Sequence, residues 1–430
     1  MAAWRDCTLG DLLEIKHGYA FLGEHFADSG THIVLTPGNF CDEGGFKSKG
    51  ESEKWYNGPV PSDYVLNEGD VVVAMTEQAE GLLGSSAIVP RGDLYLHNQR
   101  LGLVRLRDPS KTDMRFVYYL FNSKSVRQQI RASASGAKIR HTAPSRIANV
   151  RVRVPSLSVQ QRVAGILSTY DELIENNQRR IRILEEMARA LYREWFVELR
   201  FPRHDKVERV TSLMGDIPKG WEVKSLESLM IDHVGGGWGK EIDDGDHTEA
   251  ARVIRGTDIP EARACQVTGV PRRFHAASNL RSRRLQAGDI VFEVSGGSKG
   301  QPVGRTLLIT AQLLSGFGDD PVICASFCKR IRPDVEYYGS ELLYLSFLEG
   351  YESGEIEQFQ VQSTGISNFK WTEYIANALR TIPPKDLRVR FRDVVAPIFS
   401  QIGTLGLQMQ RLGETRDLLL PRLLAGRVDV

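Results

Sequence analysis

With 430 residues the chain has room for two to four domains, and 41% hydrophobic residues are enough for real cores. A net charge of +1 excludes overall charge as a basis for nucleic-acid binding and leaves only local basic clusters. Five cysteines, few and odd in number, fit a reducing cytoplasm better than a disulfide framework, and Cys324 and Cys328, with no His or Cys pair at metal-ligand spacing, read as packing residues.

No stretch approaches the ~18 apolar residues of a membrane span, and the opening MAAWRDCTLGDLLEIKHG has no apolar signal core. A cytoplasmic protein without membrane contact is expected. The first 155 residues read as a small α+β domain. The β-rich runs HIVL (32–35), DVVVAM (70–75) and GLVRL (102–106) alternate with clusters of Gly, Pro, Asn and Asp. Leu66-Asn67-Glu68-Gly69-Asp70 fits a tight turn feeding a strand, with Gly69 supplying positive φ. Residues 115–132 read as a helix with Phe116, Tyr119, Leu120 and Val126 on its apolar side, and VRVRVP (150–155) closes the part as a strand.

A long helix follows. Val163, Ile166, Tyr170, Leu173, Asn177, Ile181, Leu184, Ala188, Leu191 and Trp195 recur at steps of three and four with one stutter, which is a coiled-coil seam. No Gly or Pro interrupts Ile166 to Phe201. At 1.5 Å per residue the stretch from Gln160 to Phe196 spans roughly 55 Å, about one and a half turns of B-DNA, so it can act as a spacer as well as a packing surface. Phe201-Pro202-Arg203-His204-Asp205 then breaks the helix, and a linker leads to the turn signals before Trp221. A second α+β part, through residue 384, contains VIRG (253–256), DIVFEV (289–294), a helical stretch at 340–347 and ALRTIPP (378–384). The second long helix carries Val395, Ile398, Ile402, Leu405, Met409, Leu412, Arg416, Leu419 and Leu423 on its seam. Its Gly403, Gly406 and Gly413, each costing about 1 kcal/mol relative to Ala, fit either close approach of a partner helix or a frayed helix.

Landmarks recur in order. Trp4, Leu9 and Leu12 return as Trp221, Leu226 and Leu229, an offset of 217; Leu66, Gly69 and Asp70 return as Leu285, Gly288 and Asp289, an offset of 219. Ile147-Ala148-Asn149 and Pro155 return as Ile375-Ala376-Asn377 and Pro383, an offset of 228, and the first helix seam returns at Val395 with an offset of 232. The chain is two copies of one unit, the second carrying insertions.

The search for chemistry finds no Asn-Pro-Pro-Tyr-type motif for amino-group methylation and no phosphate loop. Gly235-Gly236-Gly237-Trp238-Gly239-Lys240 is glycine-rich but reads as a loop, and Glu14/Lys16 and Glu222/Lys224 read as exposed strand charges. What remains is binding. The loops SASGAKIRH (133–141) and QSTGISNFK (362–370) hold equivalent places in the two copies. They offer Lys138, Arg140 and His141 in the first, and Gln362, Ser363, Asn368 and Lys370 in the second, for phosphates and base edges. Gly136 and Gly365 supply the backbone freedom. Arg252 with Arg255, and Arg281, Arg283 and Arg284, form further basic clusters; Arg252 and Arg255 join the candidate DNA-binding set.

The helix text ENNQRRIRILEEMARALYREWFVELRFP, the ending RDLLLPRLLAGRVDV, the entry Trp4–Leu12 followed by Gly18-Tyr19-Ala20-Phe21, the Leu-x-x-Gly-Asp turns and the QQRVAGIL helix start resemble the specificity subunits of type I restriction-modification systems. The resemblance implies an α+β, pseudo-twofold architecture, with residues 1–155 and 202–384 (the latter including the linker) as target recognition domains. Residues 156–201 and 385–430 become long spacer helices packed antiparallel as a coiled coil. It further implies a non-catalytic reader of a bipartite double-stranded DNA target. Such a reader docks two methyltransferase and two restriction subunits, which carry S-adenosylmethionine, ATP and Mg; no cofactor is expected on this chain. The interface would comprise Val163, Ile166, Tyr170, Leu173, Ile181, Leu184, Leu191, Val395, Ile398, Ile402, Leu405, Met409, Leu412 and Leu419. An S-like subunit of a type IIB enzyme, or a coiled-coil scaffold with no DNA role, is the alternative.

Overall fold

The computed structural model describes residues 4–77, 81–296, 302–363, 366–428 and 430. The chain divides into two compact units, residues 1–172 together with 413–430, and residues 173–412.

The first unit is built on a four-stranded antiparallel sheet in the order Leu13–His17, Leu101–Leu106, Val71–Ala74, Ser86–Ile88. Val71–Ala74 is a run of β-branched residues and Ala, buried throughout, as expected for a central strand covered on both faces. The turn before it is the one the sequence specifies: Gly69 has φ +83, and the Asp70 carboxylate accepts from the Asn67 N–H at 2.9 Å. A second ladder joins Arg5–Thr8 to Arg151–Val154, and a third sets His32–Val34 between antiparallel Trp55–Tyr56 and parallel Tyr95–Leu96.

The second unit repeats these ladders. Its sheet runs Met230–Gly235, Cys328–Pro333, Ile290–Glu293, Thr306–Leu308. Glu222–Ser225 pairs with Leu379–Ile382, and Glu249–Ile254 lies between antiparallel Arg272–His275 and parallel Val322–Cys324. The turns match down to their ion pairs: Arg105 holds Asp70 at 3.1 Å, and Arg332 holds Asp289 at 2.9 Å.

The long helices are Leu157–Tyr192, continued by a π-turn at Arg193–Val197, and Lys385–Leu424. In the first unit the opening turns of one helix meet the closing turns of the other. Val163, Ala164, Leu167 and Leu423 share a core with Leu9, Phe116 and Ile147, and Asp171 accepts from both Tyr119 (2.6 Å) and Arg416 (2.6 Å). In the second unit Ile181, Ala188, Tyr192 and Trp195 join Phe391, Val395, Ile402, Leu405 and Met409, with Phe391 against the rings of Tyr192, Trp195 and Phe196.

Several expectations need correction. Ile166 and Leu173 are 36% and 44% exposed, and Leu167 is buried and Ile174 half-buried in their stead. The seam steps by four after Val163, because Ala164 and Leu167 are the residues that meet the first unit's core. The helix expected at 115–132 is two helices, Met114–Asn122 and Lys124–Ala132, separated by Ser123, whose extended backbone and side chain cap the second. The linker contains a hairpin, Arg209–Ser212 with Gly215–Pro218. The second long helix runs unbroken through its glycines and through Pro397 and Pro421. A Cβ at Gly403 would lie 2.7 Å from the Gln312 Cβ, and one at Gly406 would overlap the Ala264 carbonyl, so both glycines serve close packing of the globular part on the helix rather than of a partner helix.

Candidate nucleic-acid interface

Backbone hydrogen bonds assemble one end of each four-stranded sheet into a continuous rim. In the first unit the edge strand runs into Gly18, where a side chain would overlap the Asn98 carbonyl. The Tyr19 N–H then donates to the His97 oxygen (2.9 Å), the Gln99 N–H to Tyr19 (3.0 Å), the Met75 N–H to Arg100 (2.9 Å) and the Thr142 N–H to Met75 (2.9 Å). Thr76–Glu77 pairs with Arg140–His141. The rim therefore carries Tyr19, Gln99, Arg100, Thr76 and the loop at 133–141.

In the second unit the same frame recurs. Gly236 donates to Cys328 (2.9 Å), Gly237 to Cys324 (2.9 Å), Val294 to Phe327 (2.9 Å) and Phe369 to Val294 (2.9 Å). Ser295–Gly296 pairs with Ile366–Phe369, which pairs with Gln360–Ser363. A hydroxyl bonds across each loop pairing: Thr76 Oγ1 lies 3.1 Å from His141 Nδ1, and Ser295 Oγ donates to Asn368 Oδ1 at 2.8 Å.

The predicted loop residues are thus brought together in each unit. Ser135 and His141 exchange backbone bonds (3.0 and 2.8 Å), Gly136 has φ +101, and Arg146 ties the loop through Ser133 and Ser135, both at 3.0 Å. Lys138 and Arg140 form no ion pair among the described residues, and Lys138 is exposed. Gln362 is exposed, and Lys370 is exposed beside Glu373 at 3.1 Å. Gly365 and the side chain of Ser363 lie outside the described residues.

Arg252 and Arg255 do not belong to this rim. Arg252 donates to Asp320 (2.9 Å) and the Val270 carbonyl (3.2 Å), and Arg255 grips Asp258 with Nε and Nη2 at 2.9 and 2.6 Å. Their guanidiniums satisfy carboxylates of the smaller sheet and its adjoining turn. Residues that sequence reasoning missed are Tyr19, Gln99, Arg100, Trp238 and Phe327; the aromatic after a glycine was visible, but only the ladders place it beside the loops.

Among the described residues no group of His, Cys, Asp and Glu could hold a metal ion, and no helix is long and apolar enough to cross a membrane. Burial pushes the Cys324 thiol up to about 12 and Cys328 well above its ordinary value, so both stay protonated packing groups.

The two units share one ladder plan, and each carries a polar, cationic rim at one end of its four-stranded sheet. Residues 1–186 match the family model described as the type I restriction modification DNA specificity domain. The chain is 25% identical to the type I restriction enzyme MjaIX specificity subunit of Methanocaldococcus jannaschii over 369 residues, 80% of each. It is 22% identical to the HindI specificity subunit of Haemophilus influenzae, covering 66% of this chain and 70% of that one. Its fold is that of the crystallised type I restriction-modification S subunit from M. genitalium, with a TM-score of 0.59 at 16% identity over 98% of this chain and 96% of the other. By these comparisons the chain is similar to type I restriction-modification specificity subunits, in sequence over most of its length and in fold.

Proposed function

We propose that this chain reads a bipartite DNA target, one half-site per unit, and addresses the enzymes of a type I restriction-modification complex to it. Residues 1–155 and 202–384 act as the target recognition domains, and 156–201 and 385–430 as spacer helices forming a pseudo-twofold, antiparallel pair. The observation that carries this reading is the shared rim: a similar backbone frame, two-stranded in the first unit and three-stranded in the second, presents different side chains, Lys138, Arg140 and His141 in one and Gln362, Asn368 and Lys370 in the other. A constant frame with variable polar contents is what two readers of different base sequences require, with cations placing the phosphate backbone and amide or guanidinium groups discriminating base edges.

Partner docking follows from the first helix. Ile166, Leu173, Ile183 and Met187 lie on one exposed stripe and are 36–49% exposed. An apolar stripe along a charged helix suits a protein partner, which we assign to methyltransferase subunits. Adenine methylation with S-adenosylmethionine, and ATP- and Mg-dependent translocation and cleavage by restriction subunits, reside on the partners in this reading.

The test is to co-express the chain with its methyltransferase and map methylated adenines genome-wide. A split target with a fixed unread gap is expected, and a continuous or absent target defeats the reading. Replacing Lys138 and Arg140 together with Ala should weaken methylation or relax the sequence of one half-site and leave the other intact.

A further inference from the structure

The glycine-rich loop 235–240 and the segment Gly18–Phe21 are not used by the loop-based reading, yet they hold the same place on the rim. Gly18 and Gly236 are structural equivalents: each is pressed onto a carbonyl of the opposite turn, Asn98 and Ala325, where a Cβ would overlap the oxygen. Each donates to the returning strand, at Leu101 and Cys328. The next residues, Tyr19 and Gly237, donate to His97 and Cys324. An aromatic side chain stands at this point in both units, Tyr19 in the first and Trp238, one residue further along, in the second.

Both rings face solvent. Tyr19 is 38% exposed and Trp238 39%, and Trp238 is the one exposed tryptophan of the chain's six. Leaving so much aromatic surface in water forfeits burial that rings normally obtain. Both rings are also held in place. Tyr19 meets Phe21 edge-on and Tyr64 at a tilt, with centroids 5.1 and 5.3 Å away, and Lys16, bonded to the Asp63 carbonyl at 2.7 Å, sits 4.5 Å from the Tyr64 centroid. The Arg273 guanidinium, itself paired with Glu241 at 2.8 Å, lies 4.5 Å from the Trp238 ring and fixes it. Each unit therefore presents a positioned, solvent-facing ring on the same rim as the polar loops. A ring so placed suits a deoxyribose or the apolar edge of a base such as the thymine methyl, beside loops whose own Lys138, Arg140 and Lys370 suit the phosphates.

We propose that Tyr19 and Trp238 are a matched pair of duplex-DNA contacts, one in each half-site, that lie against sugar and base edges alongside the bases read by the loops. This rests on the DNA-reading function proposed above. The test uses the full chain assembled with its methyltransferase subunits and a duplex carrying the target mapped by methylation. Trp238→Ala should weaken binding about tenfold or more, with Trp238→Phe recovering most of the loss, because the ring rather than the indole N–H is required. On a duplex in which the second unit's half-site is scrambled, wild type and Trp238→Ala should bind alike. Tyr19→Ala should show the same pattern for the other half-site, with Tyr19→Phe again near wild type. Unchanged affinity in both alanine variants, while Lys138→Ala/Arg140→Ala still weakens binding, overturns this inference and leaves the DNA-reading function standing. If the loop variant is silent as well, both fall.

Discussion

At the scale of single residues, the rim of the first unit depends on His97. The side chain is fully buried, its Nε2 lies 2.9 Å from the Leu101 carbonyl, and its Nδ1 has no hydrogen-bond partner among the described residues. Nε2 must therefore carry the proton, leaving a neutral ring. Burial pushes the pKa down to about 4, from the ordinary 6.5. The folded state resists the proton that the unfolded chain accepts below 6.5. His97 thus favours folding fully above that pH, and its contribution is lost as pH falls through 6.5 toward 4, reaching about 3 kcal/mol for complete loss. The residue that fills this position in the second unit is Cys324, whose thiol does not titrate in that range. His97→Gln, which keeps a donor but cannot charge, should flatten the acid dependence of the first unit's unfolding between pH 7 and 4.5. Equal slopes for variant and wild type in denaturant titrations would remove His97 as the cause.

At the scale of elements, the three glycines of the second long helix separate into two kinds. A methyl at Gly406 would overlap the Ala264 carbonyl oxygen and approach the Cys265 Cβ, whereas a methyl at Gly413 meets nothing within 4 Å. Gly413→Ala should therefore stabilise the chain by up to about 1 kcal/mol, the ordinary helix-propensity gain. Gly406→Ala gains the same propensity but forces the helix off its neighbour; overpacking of this kind costs about 1–3 kcal/mol, so the net change is destabilising. Thermal denaturation of the two variants should move the midpoint in opposite directions. The existence of both helices was legible from spacing and the absence of breakers. Their phase was less so: Ile166 beside Leu167, and Leu173 beside Ile174, give two apolar registers that periodicity alone does not separate, and only the cores choose, the first unit's taking Leu167 and the second unit's Ile174. The repeat was legible because its turn and helix-start residues recur; the rim was not, because it joins Tyr19, Arg100, Met75 and Thr142 through backbone bonds that leave no trace in residue type. The partners of Arg252 and Arg255 were hidden for a related reason, since a sequence shows a charge but not the carboxylate beside it.

At the scale of the whole molecule, the long helices are where the proposed function becomes geometric. Asp171 meets Arg416 in the first unit, and Phe196 meets Phe391 in the second. The two contacts lie 25 residues apart on each helix, the equal spacing that the proposed antiparallel pairing requires. If the helices set the unread gap between half-sites, lengthening one alone puts its seam out of step with the other and should cost assembly. Lengthening both together should move the readers apart. Four residues near Arg180, matched by four at the facing position of the second helix, form a stutter that the three-and-four spacing tolerates. They add about 6 Å of helix, the rise of one to two base-pair steps. Methylome mapping of the doubly extended chain with its methyltransferase should return both half-sites unchanged and a gap longer by one or two base pairs. The same gap as wild type, with methylation intact, would show that something other than these helices fixes the spacing.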